Sequence, residues 1–269
     1  GDTLVSNKLK DFLRRARPTQ VWGVTPDGEI HDTFQTQTGV IEGSAAMVLN
    51  AVCKAMPQKE HTDDVAKERS HFHEAWKAVL DKAFLHAENT EYPFSERGVM
   101  KDFFAELYYR THMPYELQTG NSMAVRLVNE RAEEHVYCNR GVNGIEGSVS
   151  TAAGMSVVSP HPVFCMVGDL SFFYDQNALW NNHLNGNLRV LLLNNGHGKI
   201  FDGLPHLAES AAKEPFVVGT HGAGAEGICQ QNNVTYLRVT SYKELDQAFK
   251  IFMQPVAERP IVMEVIFHS

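Results

Sequence analysis

Residues 163–195 of this 269-residue chain are VFCMVGDLSFFYDQNALWNNHLNGNLRVLLLNN, and this stretch determines the fold. Its two apolar runs, 163–167 and 190–193, have the length and composition of buried strands. The residues between them, 174–185, are predicted to form a helix. The stretch is therefore one strand–helix–strand unit, which is the building block of a parallel sheet.

Each apolar run ends in polar residues. Asp169 follows the first run, and Asn194-Asn195 end the second, 25 residues after the acid. Parallel strands end at one edge of the sheet, the carboxyl edge, where open α/β folds bind ligands. A carboxylate and an amide oxygen suit a magnesium ion that carries a diphosphate. Gly168, Gly196 and Gly198 would let the backbone approach a phosphate closely.

A simpler interpretation of the same residues is structural. An Asp after a buried strand often caps a helix, and Asn pairs are common in turns. The combined spacing of strand, acid, helix, strand and amide favours the ligand site. The competing pair Asn181-Asn182 lies inside the predicted helix and too close to Asp169, so it is rejected.

The composition excludes several classes of protein. A net charge of -8 and a pI near 5.9 argue against a nucleic-acid or anionic-membrane partner. No apolar stretch is long enough to span a bilayer, and no signal peptide opens the chain, so we expect no membrane insertion. The four cysteines match neither a zinc spacing nor a disulfide framework, which indicates reduced thiols and a cytoplasmic protein. Thirteen histidines suggest a metal, but His71 and His73 have the wrong period for one helical face.

The second part of the chain alternates strands and helices. Strands are predicted at 116–119, 136–139, 163–168, 189–194, 235–240 and 261–267. The segments between them, such as 242–253, carry apolar residues at helical spacing. Residues 96–269 are therefore predicted to form an α/β domain whose parallel sheet is flanked by helices on both faces.

The first 95 residues differ. Residues 57–95 are predicted to be a connector that contains one helix, at 71–86. The first 56 residues contain a helix (8–15), strands (20–24 and 39–42) and a second helix (45–56). Since these are too few elements for a three-layer domain, we expect residues 1–56 to be the C-terminal half of a central Rossmann-like domain. The start at Gly1-Asp2, without methionine, fits a truncated chain.

A glycine-rich segment imitates a dinucleotide-binding fingerprint. Residues 222–227, GAGAEG, satisfy the Gly-x-Gly-x-x-Gly pattern. That fingerprint also requires an acid at the end of the next strand, to hold a ribose hydroxyl. The next predicted strand ends in Arg238-Val239-Thr240, so a flexible turn before a helix is the better interpretation.

The acid–amide pattern resembles the diphosphate-anchoring motif of thiamine-diphosphate enzymes, Gly-Asp-Gly followed after a spacer by Asn-Asn. Leu170 departs from that motif. Five segments resemble one family more closely, the 2-succinyl-5-enolpyruvyl-6-hydroxy-3-cyclohexene-1-carboxylate synthases (SEPHCHC synthases), which carry Gly-Asp-Leu-Ser. These segments are 139–147, 150–154, 168–171, 174–179 and 194–201.

This resemblance implies an activity. The family carries out a decarboxylation of 2-oxoglutarate that depends on thiamine diphosphate and Mg²⁺ (Mn²⁺ being an alternative ion). The resulting succinyl group then adds to isochorismate, a step of menaquinone biosynthesis. The chain is thus expected to come from a transferase of the transketolase type, acting as a homodimer or a dimer of dimers.

The resemblance also implies a set of cofactor ligands. The side chains of Asp169 and Asn195 and the carbonyl of His197 would hold the metal. Ile145 would support the bent cofactor, although an ordinary core isoleucine is the alternative. The complete predicted cofactor site is Gly144, Ile145, Gly168, Asp169, Leu170, Ser171, Asn195, His197 and Gly198.

Anionic substrates require guanidinium groups. Ser122 and Arg126 lie four residues apart at the start of a predicted helix, and Arg140 follows the strand 136–139 at the carboxyl edge. By resemblance all three bind substrate carboxylates, whereas a solvated helix charge is the alternative for Arg126. Arg126 and Arg140 are the polar members of the predicted catalytic set.

Apolar loop residues complete the predicted substrate site. Ile200, Phe201 and Leu204 resemble residues of a loop that closes over the substrate, although such residues often merely pack. Ile200 and Phe201 are also counted as catalytic. Lys8 falls where the family has a basic pair from the middle domain, and Asn7 replaces the other member of that pair.

One essential group is not found in the sequence. In the family, a glutamate of a separate N-terminal domain, usually of the partner subunit, activates the aminopyrimidine ring. We therefore expect the chain to be a C-terminal fragment that is inactive alone. Two alternatives stay open: another thiamine-diphosphate-dependent 2-oxoacid decarboxylase or carboligase, and a non-catalytic module of the same fold.

Overall fold

A computed structural model describes residues 4–56, 63–141, 143–204 and 207–267. Gly1 and Asp2, on which the expectation of a truncated chain rests, lie outside the described residues. The first part of the predicted connector, 57–62, also lies outside them. The chain divides into two compact units, Gly1–Thr90 and Glu91–Ser269. Each unit is described by itself.

The first unit contains a small parallel sheet. Strand β1 (Trp22–Thr25) pairs with β2 (Gly39–Glu42). Helix α1 (Asn7–Ala16) precedes them and α2 (Ala45–Ala55) follows. Ser6 and Ser44 accept hydrogen bonds from backbone N–H groups of the first turns of these helices, at 3.2 Å in both cases. The sequence predicted these four elements to within two residues.

The third helix is longer than predicted. Helix α3 spans Asp63–Asn89, whereas the sequence indicated a helix only at 71–86. The preceding charged segment, predicted to be part of a connector, is poor in large apolar residues. Lysine, glutamate, arginine and alanine are strong helix formers, so such a segment extends a helix without an apolar face.

The second unit is built on six parallel strands in the order β4-β3-β5-β6-β8-β7. The strands are β3 (Glu116–Thr119), β4 (Tyr137–Cys138), β5 (Val163–Gly168), β6 (Leu188–Asn194), β7 (Thr235–Val239) and β8 (Ile261–Ile266). The helices are α4 (Glu96–Ala105), α5 (Met123–Asn129), α6 (Ser148–Val158), α7 (Asp169–Tyr174), α8 (Glu226–Gln231) and α9 (Tyr242–Phe252). Short 3₁₀ segments lie at Gln176–Trp180 and Lys199–Gly203, and π-helical turns at Glu106–Arg110 and Lys213–Val217.

Helices cover both faces of this sheet, as predicted. One apolar cluster contains side chains of α4, α5 and α9, and the other contains side chains of α6, α7 and α8. Strand β6 contributes Leu191 and Leu193 to the first cluster and Val190 and Leu192 to the second. Burial on both faces explains why β5 and most of β6 appear in the sequence as continuous apolar runs.

The prediction of a helix at 174–185 is wrong. Instead, α7 begins directly at Asp169 and ends at Tyr174, and a 3₁₀ turn replaces the rest. Asp175 leaves the helical conformation because its carboxylate binds Ser150, whose backbone N–H donates to Oδ2 at 2.6 Å. Asn181-Asn182 consequently lies beyond the 3₁₀ turn and not inside a helix.

Strand β4 is shorter than predicted. β4 keeps only two residues of the predicted strand 136–139. The Asn139 side chain, just beyond β4, bonds to Gln118, Gly147 and Thr151.

Within the described part of the chain, no helix combines the length and apolar character that crossing a bilayer requires.

Candidate functional site

The ends of β5 and β6 bring Asp169 and Asn195 together at the carboxyl edge. Asp169 is the first residue of α7 and is 3% exposed. Its Oδ2 accepts hydrogen bonds from the backbone N–H groups of Asn195 at 3.0 Å and Gly196 at 2.7 Å. Its Oδ1 accepts from the N–H of Leu170 at 2.7 Å. The acid therefore organises both loops.

Burial raises the pKa of Asp169, and the backbone donors and His221 only partly offset this effect. His221 Nε2 lies 3.5 Å from Asp169 Oδ2. The other ring nitrogen, Nδ1, accepts the N–H of Ala223 at 3.1 Å, so the neutral ring carries its proton on Nε2. A buried carboxylate with this incomplete compensation is suited to a cation.

The side chain of Asn195 is held in one orientation. Its Nδ2 donates to Glu96 Oε1 at 2.6 Å, and its Oδ1 accepts the N–H of His197 at 3.2 Å. Glu96 is 4% exposed, and its Oε2 lies 2.8 Å from Lys199 Nζ. The amide oxygen of Asn195 thus faces the loop that follows β6.

His197 contributes its backbone to the same loop. Its carbonyl oxygen accepts the N–H of Lys199 at 2.9 Å. Its ring binds Asp202 through Nε2 at 2.9 Å, and this contact raises the pKa of His197. The ring is therefore turned toward Asp202, and the carbonyl is the atom of His197 that is available to a metal.

These donors fit the predicted metal. One carboxylate, one amide oxygen and one carbonyl are hard ligands, and Mg²⁺ usually takes few protein ligands beside the phosphate oxygens of its substrate. Among the described residues, no group of three His, Cys, Asp or Glu side chains could hold a metal ion. The donor set at Asp169 is different in kind, since it combines one acid with uncharged oxygens.

The loop that contains Gly144 and Ile145 is hydrogen-bonded to residues that follow β3 and β5. The hydroxyl of Ser171 donates to the carbonyl of Ile145. Asn121 Nδ2 donates to the carbonyl of Gly144 at 3.2 Å. The hydroxyl proton of Ser171 is thus already used, which leaves the backbone N–H of this residue as the donor for a diphosphate. Ile145 is half-buried.

The two predicted arginines are close enough to influence each other. Burial, followed by repulsion from Arg140, lowers the pKa of Arg126. Arg126 Nη1 donates to the carbonyl of Ser122 at 2.5 Å, and Arg140 Nη1 donates to Asn121 Oδ1 at 2.6 Å. Arg140 Nε is buried and has no hydrogen-bond partner among the described residues. Two adjacent cations with an unused donor are suited to an anionic ligand.

The predicted closing loop begins directly after the metal-binding loop. Ile200 and Phe201 lie in the 3₁₀ turn Lys199–Gly203 and are partly buried, whereas Leu204 is 42% exposed. A Cβ atom at Gly198 would lie 2.9 Å from the Phe201 ring, so a glycine permits this packing. The loop thus presents apolar side chains beside the donors.

Lys8 and Leu170 are the remaining predicted site residues. Lys8 is exposed on α1 of the first unit, and its approach to the substrate stays a prediction. Leu170, which replaces the second glycine of the motif, lies near Gly219: a Cβ at that glycine would be 3.6 Å from Leu170 Cδ1. Its side chain therefore packs against the loop that precedes α8.

Glu96 and Asn121 are not among the predicted site residues. Asn121 could have been found, because it follows β3 at the same edge as Asp169 and Asn195. Glu96 gave no such signal, since an acid in the first turn of a helix is ordinary.

Comparison with known proteins agrees with this geometry. Residues 119–265 match the family described as thiamine pyrophosphate enzyme, C-terminal TPP binding domain. This match covers more than half of the chain. The chain belongs to this family.

Individual relatives are more specific. The chain is 37% identical to a SEPHCHC synthase of Bacteroides fragilis over 98% of its own length and 46% of the relative. It is 34% identical to the SEPHCHC synthase of Phocaeicola vulgatus, with 98% and 45% covered. The chain thus spans about half the length of the curated relatives it matches. The sequence identity to these synthases confirms the resemblance that the motifs indicated.

A solved structure supports the fold. An X-ray structure of a putative thiamin diphosphate-dependent enzyme isolated from Mycobacterium smegmatis superposes with a TM-score of 0.60 and 14% identity. The similarity covers 93% of this chain and 44% of that one. It confirms the predicted α/β architecture.

Proposed function

We propose that the edge formed by β5 and β6 holds thiamine diphosphate through Mg²⁺, with Mn²⁺ as an alternative. Asp169, the Oδ1 of Asn195 and the carbonyl of His197 would be the protein ligands. The observation that carries this proposal is the buried Asp169 carboxylate, which lies between two loops at the carboxyl edge. A divalent ion would complete its charge compensation.

When bound, the cofactor would supply a thiazolium ring that takes up the electron pair left behind when CO₂ departs. The chain's own residues would bind and orient it. The half-buried Ile145 would press against the cofactor and hold it bent, with Gly144 and the backbone N–H of Ser171 beside the diphosphate. Gly168 and Gly198 would let the two loops approach the phosphates, and Leu170 packs behind them.

We propose that the substrates are those of the SEPHCHC synthases, 2-oxoglutarate and isochorismate, in menaquinone biosynthesis. Each of the two substrates carries two carboxylates. The paired cations Arg126 and Arg140 and the neighbouring Ser122 are suited to bind them, since a guanidinium can hold a carboxylate by two parallel hydrogen bonds. Ile200, Phe201 and Leu204 would cover the bound substrate and exclude water, and Lys8 would add a further positive charge.

The complete enzyme is proposed to be a cytoplasmic homodimer or dimer of dimers. The glutamate that activates the cofactor ring would come from outside this chain, usually from the partner subunit. The chain alone would therefore be inactive, although it contains the metal ligands and the arginines.

A thermal melt with and without Mg²⁺ and thiamine diphosphate tests the cofactor site. A ligand that binds only the native state stabilises it by about 2.7 kcal/mol at a hundredfold excess over its dissociation constant. We expect Asp169→Ala to abolish this shift. Asp246→Ala, an exposed acid on α9, is the matched control and should keep it.

The melt is performed on this chain and on the full-length protein. A shift in this chain means that the site binds without the remaining domains, and a shift in the full-length protein alone means that those domains contribute affinity. No shift in either protein, or an unchanged shift in Asp169→Ala, would overturn the proposal.

A further inference from the structure

We infer that Glu96 is a positioning residue of the metal site: its carboxylate fixes the amide of Asn195 so that the oxygen faces the metal. This inference rests on the proposed function, because it concerns the same ion. Glu96 itself does not touch the proposed metal ligand atoms of Asp169 or His197. It acts through Asn195, and no motif identified it.

The direction of the amide follows from the chemistry of the carboxylate. An ionised carboxylate only accepts hydrogen bonds, so the group of Asn195 that faces Glu96 at 2.6 Å must be its NH₂. The amide oxygen then points away from Glu96, toward the loop after β6, where it accepts the N–H of His197. With the opposite orientation, the NH₂ group would face the metal and could not bind it.

Glu96 is placed rigidly enough for this role. It is the first residue of α4, which is capped by Ser95, whose side chain accepts the N–H of Gly98 at 3.3 Å. The helix is anchored in the core by fully buried side chains, among them Val99 and Phe103. The carboxylate, at 4% exposure, therefore has little freedom to move away from Asn195.

The second carboxylate oxygen of Glu96 connects the closing loop to the same point. Lys199 Nζ lies 2.8 Å from Oε2, and Lys199 is the first residue of the 3₁₀ turn that carries Ile200 and Phe201. Both neighbours of Glu96 are thus donors, one neutral and one charged. This arrangement determines what an amide would do at position 96.

The decisive variant is Glu96→Gln. A glutamine has only one acceptor oxygen, and the charged Lys199 competes best for it. The NH₂ group of the introduced glutamine then faces Asn195 and turns its amide around. We expect the dissociation constant of Mg²⁺, measured by thermal shift with excess thiamine diphosphate, to rise about 10-fold or more, as is usual when a group behind a metal ligand is lost.

A rescue variant separates orientation from folding. In Glu96→Gln/Asn195→Asp, the NH₂ group of the introduced glutamine can donate to one oxygen of the introduced aspartate, which leaves the other oxygen for the metal. We expect this double variant to regain most of the Mg²⁺ affinity. Loss of affinity in Glu96→Gln without recovery in the double variant would mean that Glu96 supports only the fold, and would overturn the inference.

Lys199→Met is the matched control. It removes the loop contact but leaves Glu96 facing Asn195, so we expect Mg²⁺ affinity within about twofold of the wild type. An equal loss in Lys199→Met and Glu96→Gln would instead assign the effect to the ion pair and refute the orientation mechanism. Unchanged affinity in Glu96→Gln refutes it directly.

The measurements use the full-length protein and do not depend on turnover. If the wild type binds no Mg²⁺ and thiamine diphosphate, the proposed function itself has failed. If the wild type binds and Glu96→Gln binds equally well, only the role of Glu96 has failed. The two failures are therefore distinguishable.

Discussion

Asn194 Nδ2 donates a hydrogen bond to Glu264 Oε1 at 2.7 Å, and this bond joins the adjacent strands β6 and β8 inside the sheet. Glu264 is fully buried, and its Oε2 also accepts from the N–H of Ala225 and the hydroxyl of Tyr236. The neighbouring Asn195 faces Glu96 instead. The two asparagines of the motif thus have different tasks, and the first of them is structural.

Glu264→Gln is expected to destabilise the protein. Three donors point at the carboxylate of Glu264. In a glutamine, the NH₂ group would face one of these donors and could not accept its hydrogen bond. Leaving buried polar groups unpaired costs about 1–3 kcal/mol each, so we expect the free energy of unfolding in urea to fall by about 2–3 kcal/mol. Tyr236→Phe, which removes a single bond, should cost about 1 kcal/mol. A change below about 0.5 kcal/mol in Glu264→Gln would contradict this account.

Replacing the paired arginines should change substrate use and leave cofactor binding intact. In Arg126→Met and Arg140→Met, the guanidinium proposed to bind a carboxylate is absent, so kcat/KM for isochorismate should fall by more than about tenfold in the full-length enzyme. The melt shift with Mg²⁺ and thiamine diphosphate should persist.

Arg238→Met, at an exposed position of β7, is the control for a lost surface charge. Retained use of isochorismate in both arginine variants would contradict the proposed role of Arg126 and Arg140, whereas a wild type that does not use isochorismate would favour a 2-oxoacid enzyme with a different acceptor.

Two glycines should respond to alanine in opposite directions. A Cβ at Gly186 would lie 1.8 Å from the carbonyl oxygen of Ala257, so Gly186→Ala must displace backbone and should cost about 1–3 kcal/mol. Gly154 is an exposed residue within α6, and no described atom outside the helix's own backbone lies within 4 Å of its Cβ position.

Gly154→Ala should therefore stabilise the protein by about 0.4–1 kcal/mol through helix propensity and a less flexible unfolded chain. Urea unfolding measures both variants. A stabilising Gly186→Ala or a destabilising Gly154→Ala would show that the packing differs from that described.

The start of α9 should contribute to acid sensitivity. The hydroxyl and the backbone N–H of Thr240 donate to Glu244 Oε2 at 2.7 and 2.6 Å, and both contacts lower the pKa of Glu244. Because the folded pKa lies below the unfolded one, this stabilisation is present above the unfolded pKa and is lost as the pH falls through the folded pKa.

The urea midpoint of Glu244→Gln should thus fall less than that of the wild type between about pH 6 and pH 3. Glu258→Gln, an exposed acid, should retain the wild-type slope. Equal slopes in the wild type and Glu244→Gln would refute the assignment.

The central strands β5 and β6 were predictable because they are buried on both faces. The bounds of β3 and β5 agree with the predicted ones, and β6, β7 and β8 differ by one residue at one end. Continuous apolar runs of this length leave little room for another interpretation. The polar residues after β5 and β6 were predictable for the same reason, since parallel strands end at one edge.

The remaining features depend on contacts between residues that are distant in sequence. The helix after β5 ends early because Asp175 binds Ser150, and neither residue shows this locally. Glu96 escaped notice because its partner Asn195 is 99 residues away. Local propensity contains no information about such pairs.

The contact between Glu96 and Asn195 also bears on when the proposed cofactor site is complete. It closes a loop of 99 residues, and the bond between Asn194 and Glu264 closes one of 70 residues. Contacts of such separation form late, since the chain must first lose the entropy of the intervening segment. A ribosome-bound chain that has not yet delivered β8 would therefore contain the entire acid–amide motif and still lack a finished binding site. Acquisition of the cofactor would mark the end of folding.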